Sequence, residues 1–282
     1  MSLLITGATG QLGSELVQLL DEKGMAYTAT DSDDMDITDL QSVARVFARV
    51  KPTFVFHCAA YTAVDGAEDQ GKALNWDVNV TGTRHVAEAC EKVGATLVYI
   101  STDYVFDGES LDAYTVDAPV NPQNQYGKAK LAGERLVEEI CSNYYIVRTS
   151  WVFGQYGKNF VFTMLKLAET HDQLTVVADQ IGRPTWTRTL AEFLLYLYQT
   201  RPEKGVYQLS NDGSCSWFDF AREILKDKAV AVEPVTSDQY PQKAYRPKHA
   251  IMDLSKAKAT GFAIPTWQEA LAQFLNQIDA KG

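Results

Sequence analysis

Short apolar runs alternate with longer amphipathic stretches through the first half of the chain. "SLLIT" predicts a strand, "QLGSELVQLLDEKG" a helix closed by Gly24, and "AYTATD" a second strand. A helix over "TDLQSVARVFARV" follows, with Thr38 or Asp39 as its N-cap. "PTFVFHCAA" predicts a third strand, "ALNWDVNVTGTRHVAEACEKVG" a long helix, and "ATLVYIST" a fourth strand. "NQYGKAKLAGERLVEEI" is the next helix and "NYYIVRTSW" the fifth strand. Strands that are apolar throughout, each separated by a helix, argue for a parallel sheet covered on both faces. Right-handed crossovers then give an α/β, doubly wound, Rossmann-like sheet.

The rhythm changes near residue 150. Helices are predicted near 159–170, 187–200, 216–226 and 266–279, joined by segments such as "RPTW" and "YRPKHA". The expectation is a sheet domain over 1–150 and a smaller C-terminal domain over 151–282. The second would lie over the carboxyl edge of the sheet, with some segments returning to it.

Composition narrows the classes. Of 282 residues, 46% are apolar and 22% charged, enough for a sizeable core and against disorder. The formal charge of −10 disfavours nucleic acid and anionic lipid as partners. Cys58, Cys90, Cys141 and Cys215 form no CxxC pair and read as reduced, buried thiols of a cytoplasmic protein. Gly7, Thr9 and Gln11 interrupt any apolar leader, and no apolar run approaches membrane-spanning length.

Candidate chemistry starts at "GATGQLG". Gly7, Gly10 and Gly13 fall between the first strand and its helix. Glycines there permit a tight turn and let backbone N–H groups approach a diphosphate, with the helix dipole adding to the attraction. Thr9, Gln11 and Leu12 complete that turn. Asp31, at the end of the second strand, sits near the position that binds adenosine ribose hydroxyls. Asp36 and Ile37 of "MDITD" would flank the adenine. Ala59, Ala60 and Tyr61 of "CAAYTAVD" would let a dinucleotide pass close to the third strand.

Thr102 ends the fourth strand, and Tyr126 and Lys130 open the following helix four residues apart, on one face. Reduction of a ketone needs a hydride on carbon and a proton on oxygen. A free phenol has a pKa near ~10, too high for efficient exchange at neutral pH. A nearby ammonium favours the phenolate, so Lys130 would assist Tyr126. Thr102 would hold the carbonyl oxygen. Ser101 is expected to face the other side of the strand.

With these motifs the chain resembles the extended short-chain dehydrogenase/reductases, and within them the dTDP-4-dehydrorhamnose reductase family. "AAYTAVD", "STDYVFDG" and "DQIGRPTWT" carry that closer resemblance, which runs over essentially the whole chain. It implies NADH or NADPH as cofactor. It also implies reduction of C4 of dTDP-4-dehydro-6-deoxy-L-mannose to dTDP-L-rhamnose, for cell-wall polysaccharide biosynthesis. Tyr126 would be the general acid, Lys130 would bind the nicotinamide ribose, and Thr102 would orient the keto group. Thr102, Asp103, Tyr104, Val105 and Trp151 would line the sugar pocket of the C-terminal, substrate-binding side. Arg183 and Arg246, with Lys248 behind them, are candidates for the thymidine diphosphate. Some relatives form a homodimer through a magnesium site. Glu15 matches its first carboxylate, but "TWTRTLAEF" offers only Glu192 for the rest, so no metal is assigned. The rival readings are another nucleotide-sugar reductase or epimerase of the same superfamily, and a non-catalytic NAD(P)-binding regulatory subunit.

Overall fold

The computed structural model describes residues 2–280; Met1, Lys281 and Gly282, the outer ends of the two expected domains, lie outside it. The first strand, β1 (Leu3–Thr6), is buried along its whole length. Helix α1 (Gln11–Glu22) follows and buries Leu16, Leu19 and Leu20. Gly24, at φ +62°, turns the chain out of the helix. Then come β2 (Thr28–Thr30) and α2 (Leu40–Val50). Asp39 caps α2 by accepting from the Gln41 backbone N–H, which satisfies one orphan donor of the first turn. Strand β3 (Phe54–His57) is followed by one continuous helical run: α3 (Lys72–Trp76), a π-helical turn over Asp77–Gly82, and α4 (Thr83–Val93). Next are β4 (Thr96–Thr102), α5 (Gln125–Ile140) capped by Asn124, and β5 (Tyr144–Thr149).

The π turn is where the structure departs from the single regular helix predicted here. Asn79, inside it, accepts from the Tyr61 backbone N–H at 3.2 Å and donates to the Tyr61 carbonyl at 2.9 Å. Asn75 donates to the Gln125 carbonyl at 3.1 Å and accepts from Asn79 at 2.8 Å. At the far end of the turn, a Cβ on Gly82 would come within 2.7 Å of Ile37. Tertiary contacts at both ends therefore fix the phase of the helix, and a π turn reconciles them.

All the strands of the main sheet pair in parallel. The order runs from strand Gly205–Gln208 through β5, β4, β3 and β1 to β2. Because β2 lies to one side of β1 and β3 to the other, the order reverses between β1 and β3, and ligands bind at such a switch point. Side-chain alternation sends Leu3 and Ile5 to one face and Leu4 to the other. On the first face they meet Leu16, Leu19 and, from helix Thr187–Thr200, Leu190, Phe193 and Leu194. On the second they meet Val43 and Phe47 of α2, Val86 and Cys90 of α4, and Val137 of α5. Each such side chain contributes about 1.5–3 kcal/mol by leaving water. A third core, around Phe153, Trp186, Phe220, Trp267 and Phe274, holds the C-terminal helices together.

Candidate active site

The glycine turn is dictated by close packing. Gly7 adopts φ +64°, and a Cβ on it would lie 2.6 Å from the Ala59 backbone. A Cβ on Gly13 would lie 2.1 Å from the Gly7 carbonyl. Gly10 is the N-cap of α1 and supplies no side-chain cap, so the first N–H groups of the helix face outward. Thr9 and Gly10 are exposed, Gln11 and Leu12 half-buried, and the Gln11 Oε1 is buried without a partner. The missing side chains and the open N–H groups fit a dinucleotide diphosphate.

Asp31 stands at the end of β2, half-exposed, with Oδ1 accepting from the Ser32 N–H at 2.7 Å. The Asp36 carboxylate is occupied locally by the Thr38 N–H and hydroxyl, at 2.9 and 2.7 Å, which hold it below the usual carboxylate range. Ile37 is buried against Gly82 in the second-face core. Ala59 donates its N–H to the Thr6 hydroxyl at 3.2 Å and Tyr61 is fixed by Asn79, so the segment after β3 is rigidly placed.

A cavity of about 420 Å³ opens at the carboxyl ends of β1, β3, β4 and β5. Gly10, Gln11 and Leu12 form one wall; Thr102, Asp103, Tyr104, Tyr126 and Lys130 form another; Trp151 and Trp217 close it. Thr102 donates to Asp103 Oδ1 at 2.9 Å and accepts from the Tyr104 N–H at 3.1 Å. Burial pushes the Asp103 carboxyl up to about 7, and its Oδ2 has no partner. Burial, with Asp103 and Tyr104 nearby, holds the Tyr126 phenol above its ordinary value, against the pull of Thr102. Burial brings the Lys130 ammonium down to about 7, despite Glu134.

Several expectations need correction. Lys130 and Tyr126 do share a helix face, but the Lys130 Nζ lies 4.1 Å from the centre of the Tyr99 ring. Ser101 borders the cavity beside Thr102, within β4, and its Oγ is buried without a partner. Val105 is fully buried in a small core with Phe106, Tyr114, Leu131 and Met252, and does not line the cavity. Arg183 borders neither main cavity. Its Nη1 is held by Asp212 at 3.0 Å and the Gly213 carbonyl at 3.1 Å. Lys248 pairs with Asp179 at 3.6 Å. Arg246 pairs with Asp65 at 3.0 Å, lies over the Tyr104 ring, and lines a second cavity of about 590 Å³. Tyr104 and Trp217 border both cavities, so the two are contiguous.

Trp151 borders the first cavity just after β5, and the structure adds how it is held. It has φ +47°, in the left-handed region, a cost of order 1–3 kcal/mol for a non-glycine residue. Its indole stacks on Trp217 with centroids 3.6 Å apart and planes at 11°. A Cβ on Gly182 would come within 2.6 Å of the other face. Trp217 and Lys158 line the cavity without having been anticipated, as do Thr62 and Val64 of the expected segment "CAAYTAVD", which were not singled out. "GKNFV" was a legible signal for Lys158; nothing in "SCSWFDFA" marked Trp217.

Glu15 faces an arginine. Arg188 lies 3.7 Å from Glu15, 2.5 Å from Glu22 and 3.0 Å from Glu192. Burial raises the Glu15 carboxyl, while Thr187 and Arg188 pull it down. Among the described residues no cluster of three or more His, Cys, Asp or Glu is arranged to hold a metal ion, and no helix is long and apolar enough to cross a membrane.

A parallel sheet with a glycine turn at its switch point, opening on a cavity that holds a Thr, a Tyr and a Lys, defines a Rossmann-fold oxidoreductase of the short-chain dehydrogenase/reductase class. Residues 1–280 match the family described as RmlD substrate binding domain, and the chain belongs to that family. It is 42% identical to a dTDP-4-dehydrorhamnose reductase of Streptomyces griseus over 280 residues, covering 96% of this chain and 91% of the other. It is 40% identical to the spore coat polysaccharide biosynthesis protein SpsK of Bacillus subtilis, covering 97% and 96%. Among solved structures it resembles the Bacillus anthracis dTDP-4-dehydrorhamnose reductase in complex with NADP. The TM-score there is 0.94 at 42% identity, covering 98% of this chain and 99% of the other.

Proposed function

We propose that this chain catalyses the NAD(P)H-dependent reduction of the C4 keto group of dTDP-4-dehydro-6-deoxy-L-mannose, giving dTDP-L-rhamnose. The observation that carries the reading is the first cavity, which puts the glycine turn and the Thr102, Tyr126 and Lys130 side chains around one space. The nicotinamide, when bound, supplies the hydride. Tyr126 gives its phenolic proton to the C4 oxygen. Lys130 grips the nicotinamide ribose and, once drawn off the Tyr99 ring, stabilises the phenolate left behind. Thr102 now spends its hydroxyl proton on Asp103. A carboxyl at about 7 is protonated in an appreciable fraction of molecules at neutral pH, and in that form Asp103 can donate to Thr102, whose proton then turns to the keto oxygen. The stacked Trp151 and Trp217 form an apolar wall for the deoxysugar.

The nucleotide end of the substrate occupies the second cavity, where Met164, Leu167 and Val176 offer an apolar bed and Arg246 a charge. Asp31 receives the adenosine ribose hydroxyls, which makes NADH a competent donor. The acidic charge suits a cytoplasmic enzyme with small-molecule partners rather than nucleic acid or membrane. The test is Tyr126→Phe, which removes one hydroxyl and keeps the ring. Turnover, followed as nicotinamide absorbance with the dTDP-sugar, should fall about 10²–10⁴-fold while dinucleotide binding survives. An equally active Tyr126→Phe would end the mechanism. A wild-type protein that binds dinucleotide yet leaves the sugar unreduced would end the substrate assignment.

A further inference from the structure

We propose that Lys158 is the cation that receives a diphosphate in the catalytic cavity. The inference rests on the functional reading above, in which both ligands, dinucleotide and sugar nucleotide, carry that group. An acidic protein must present positive charge locally to hold it. Arg183 is paired with Asp212 and borders neither cavity, and Arg246, which is paired with Asp65 and keeps an unpartnered Nη1, borders the second cavity rather than the catalytic one. Lys130 is buried over an aromatic ring. Lys158 is exposed, borders the same cavity as Gly10, Gln11 and Leu12, and among the described residues has no carboxylate within ion-pair distance.

Its position is fixed by the segment that carries it. Gly157, at φ +67°, sits against α1: the nearest atom to a Cβ there would be the Gln11 Cβ, at 3.6 Å. The Tyr156 hydroxyl donates to Gln18 Oε1 on α1 at 2.7 Å, and Gln155 donates to the same oxygen. On the other side, Asn159 caps helix Phe160–Ala168 and donates to the Gly154 carbonyl at 2.7 Å. Both flanks of Lys158 are thus pinned, one of them to the helix whose open N–H groups face the cavity. A flexible ammonium on a fixed base, opposite bare backbone donors, is suited to an oxyanion that both can reach.

The diphosphate belongs either to the dinucleotide or to the sugar nucleotide, and the two arms of the experiment separate these sources. Lys158→Ala, Lys158→Glu and Lys158→Arg would be titrated with NADPH by fluorescence and with dTDP by calorimetry. Lys158→Ala should weaken one of the two about tenfold, Lys158→Glu should weaken it further, and Lys158→Arg should restore it. The salt dependence of that ligand's affinity should flatten in Lys158→Ala. If wild type binds both ligands and neither affinity moves beyond twofold in Lys158→Ala and Lys158→Glu, Lys158 is not the receptor. If wild type binds neither, the functional reading falls and the assignment with it.

Discussion

Lys130 should weaken the fold that it serves. The residue is 2% exposed, and burial lowers its pKa from 10.5 to about 7. That displacement, at about 1.36 kcal/mol per pH unit, amounts to ~5 kcal/mol of penalty for keeping the charge inside. An unfolded lysine holds its proton up to about pH 10.4, so between about 7 and 10 the unfolded chain binds more protons than the folded one. Stability therefore rises with pH across that window, and the full cost stands below it. Lys130→Met keeps the stem and removes the charge. It also gives up the contact with the Tyr99 ring, worth about 0.5–2 kcal/mol. The net expectation is a protein stabilised by roughly 3–4.5 kcal/mol at pH 6, with the gain vanishing towards pH 10. Urea unfolding of dinucleotide-stripped wild type and Lys130→Met at pH 6, 8 and 9.5 measures it. Asp103, raised to about 7 by burial, is common to both proteins and cancels in the difference. A variant destabilised at pH 6, or a difference that does not change with pH, refutes the reasoning. Turnover by Lys130→Met should be lost throughout.

Glu134→Gln should cost about 3–5 kcal/mol in urea unfolding, because it strands Arg148, whose Nε and Nη2 meet the two carboxylate oxygens at 2.9 and 2.8 Å in a buried site. A loss under about 1 kcal/mol would mean that water reaches the guanidinium. Asp31→Ala should raise the dissociation constant for NADH while relieving repulsion of the NADPH 2′-phosphate. An unchanged NADH/NADPH ratio in fluorescence titrations would remove Asp31 from the ribose.

Periodicity made the strands and helices of the sheet legible, since Leu3, Ile5 and Leu4 divide between two faces as a parallel strand requires. The glycine turn was legible because Gly7 turns the chain at φ +64° and Gly13 packs on the Gly7 carbonyl, both within the motif. Spacing also put Tyr126 and Lys130 on one face of α5, but it could not say that the lysine would settle on Tyr99, a strand away. The same limit applies to the cations. Arg183 and Arg246 looked available because Asp212 and Asp65 are distant in sequence and adjacent only in the fold. Val105 shares a motif with Thr102 and Tyr104, yet the turn at Asp103–Val105 rotates it into a core. Arg188 beside Glu15 required helix Thr187–Thr200 to cross α1, which no local pattern encodes.

The π turn at Asp77–Gly82 also sets how this helix tolerates changes in length. An α-helix advances about 100° per residue, so the extra residue in a wide turn acts as a phase shifter. It lets Asn75 and Asn79 address Gln125 and Tyr61 while Val86, Ala87 and Cys90 address the sheet. Deleting one residue there would leave a better helix by every local criterion. It would also swing Lys72–Trp76 away from the segment after β3, which guides the dinucleotide in the proposed function. Local regularity and positional accuracy are therefore opposed at this point, and the helix carries an internal insertion that keeps its two halves out of step.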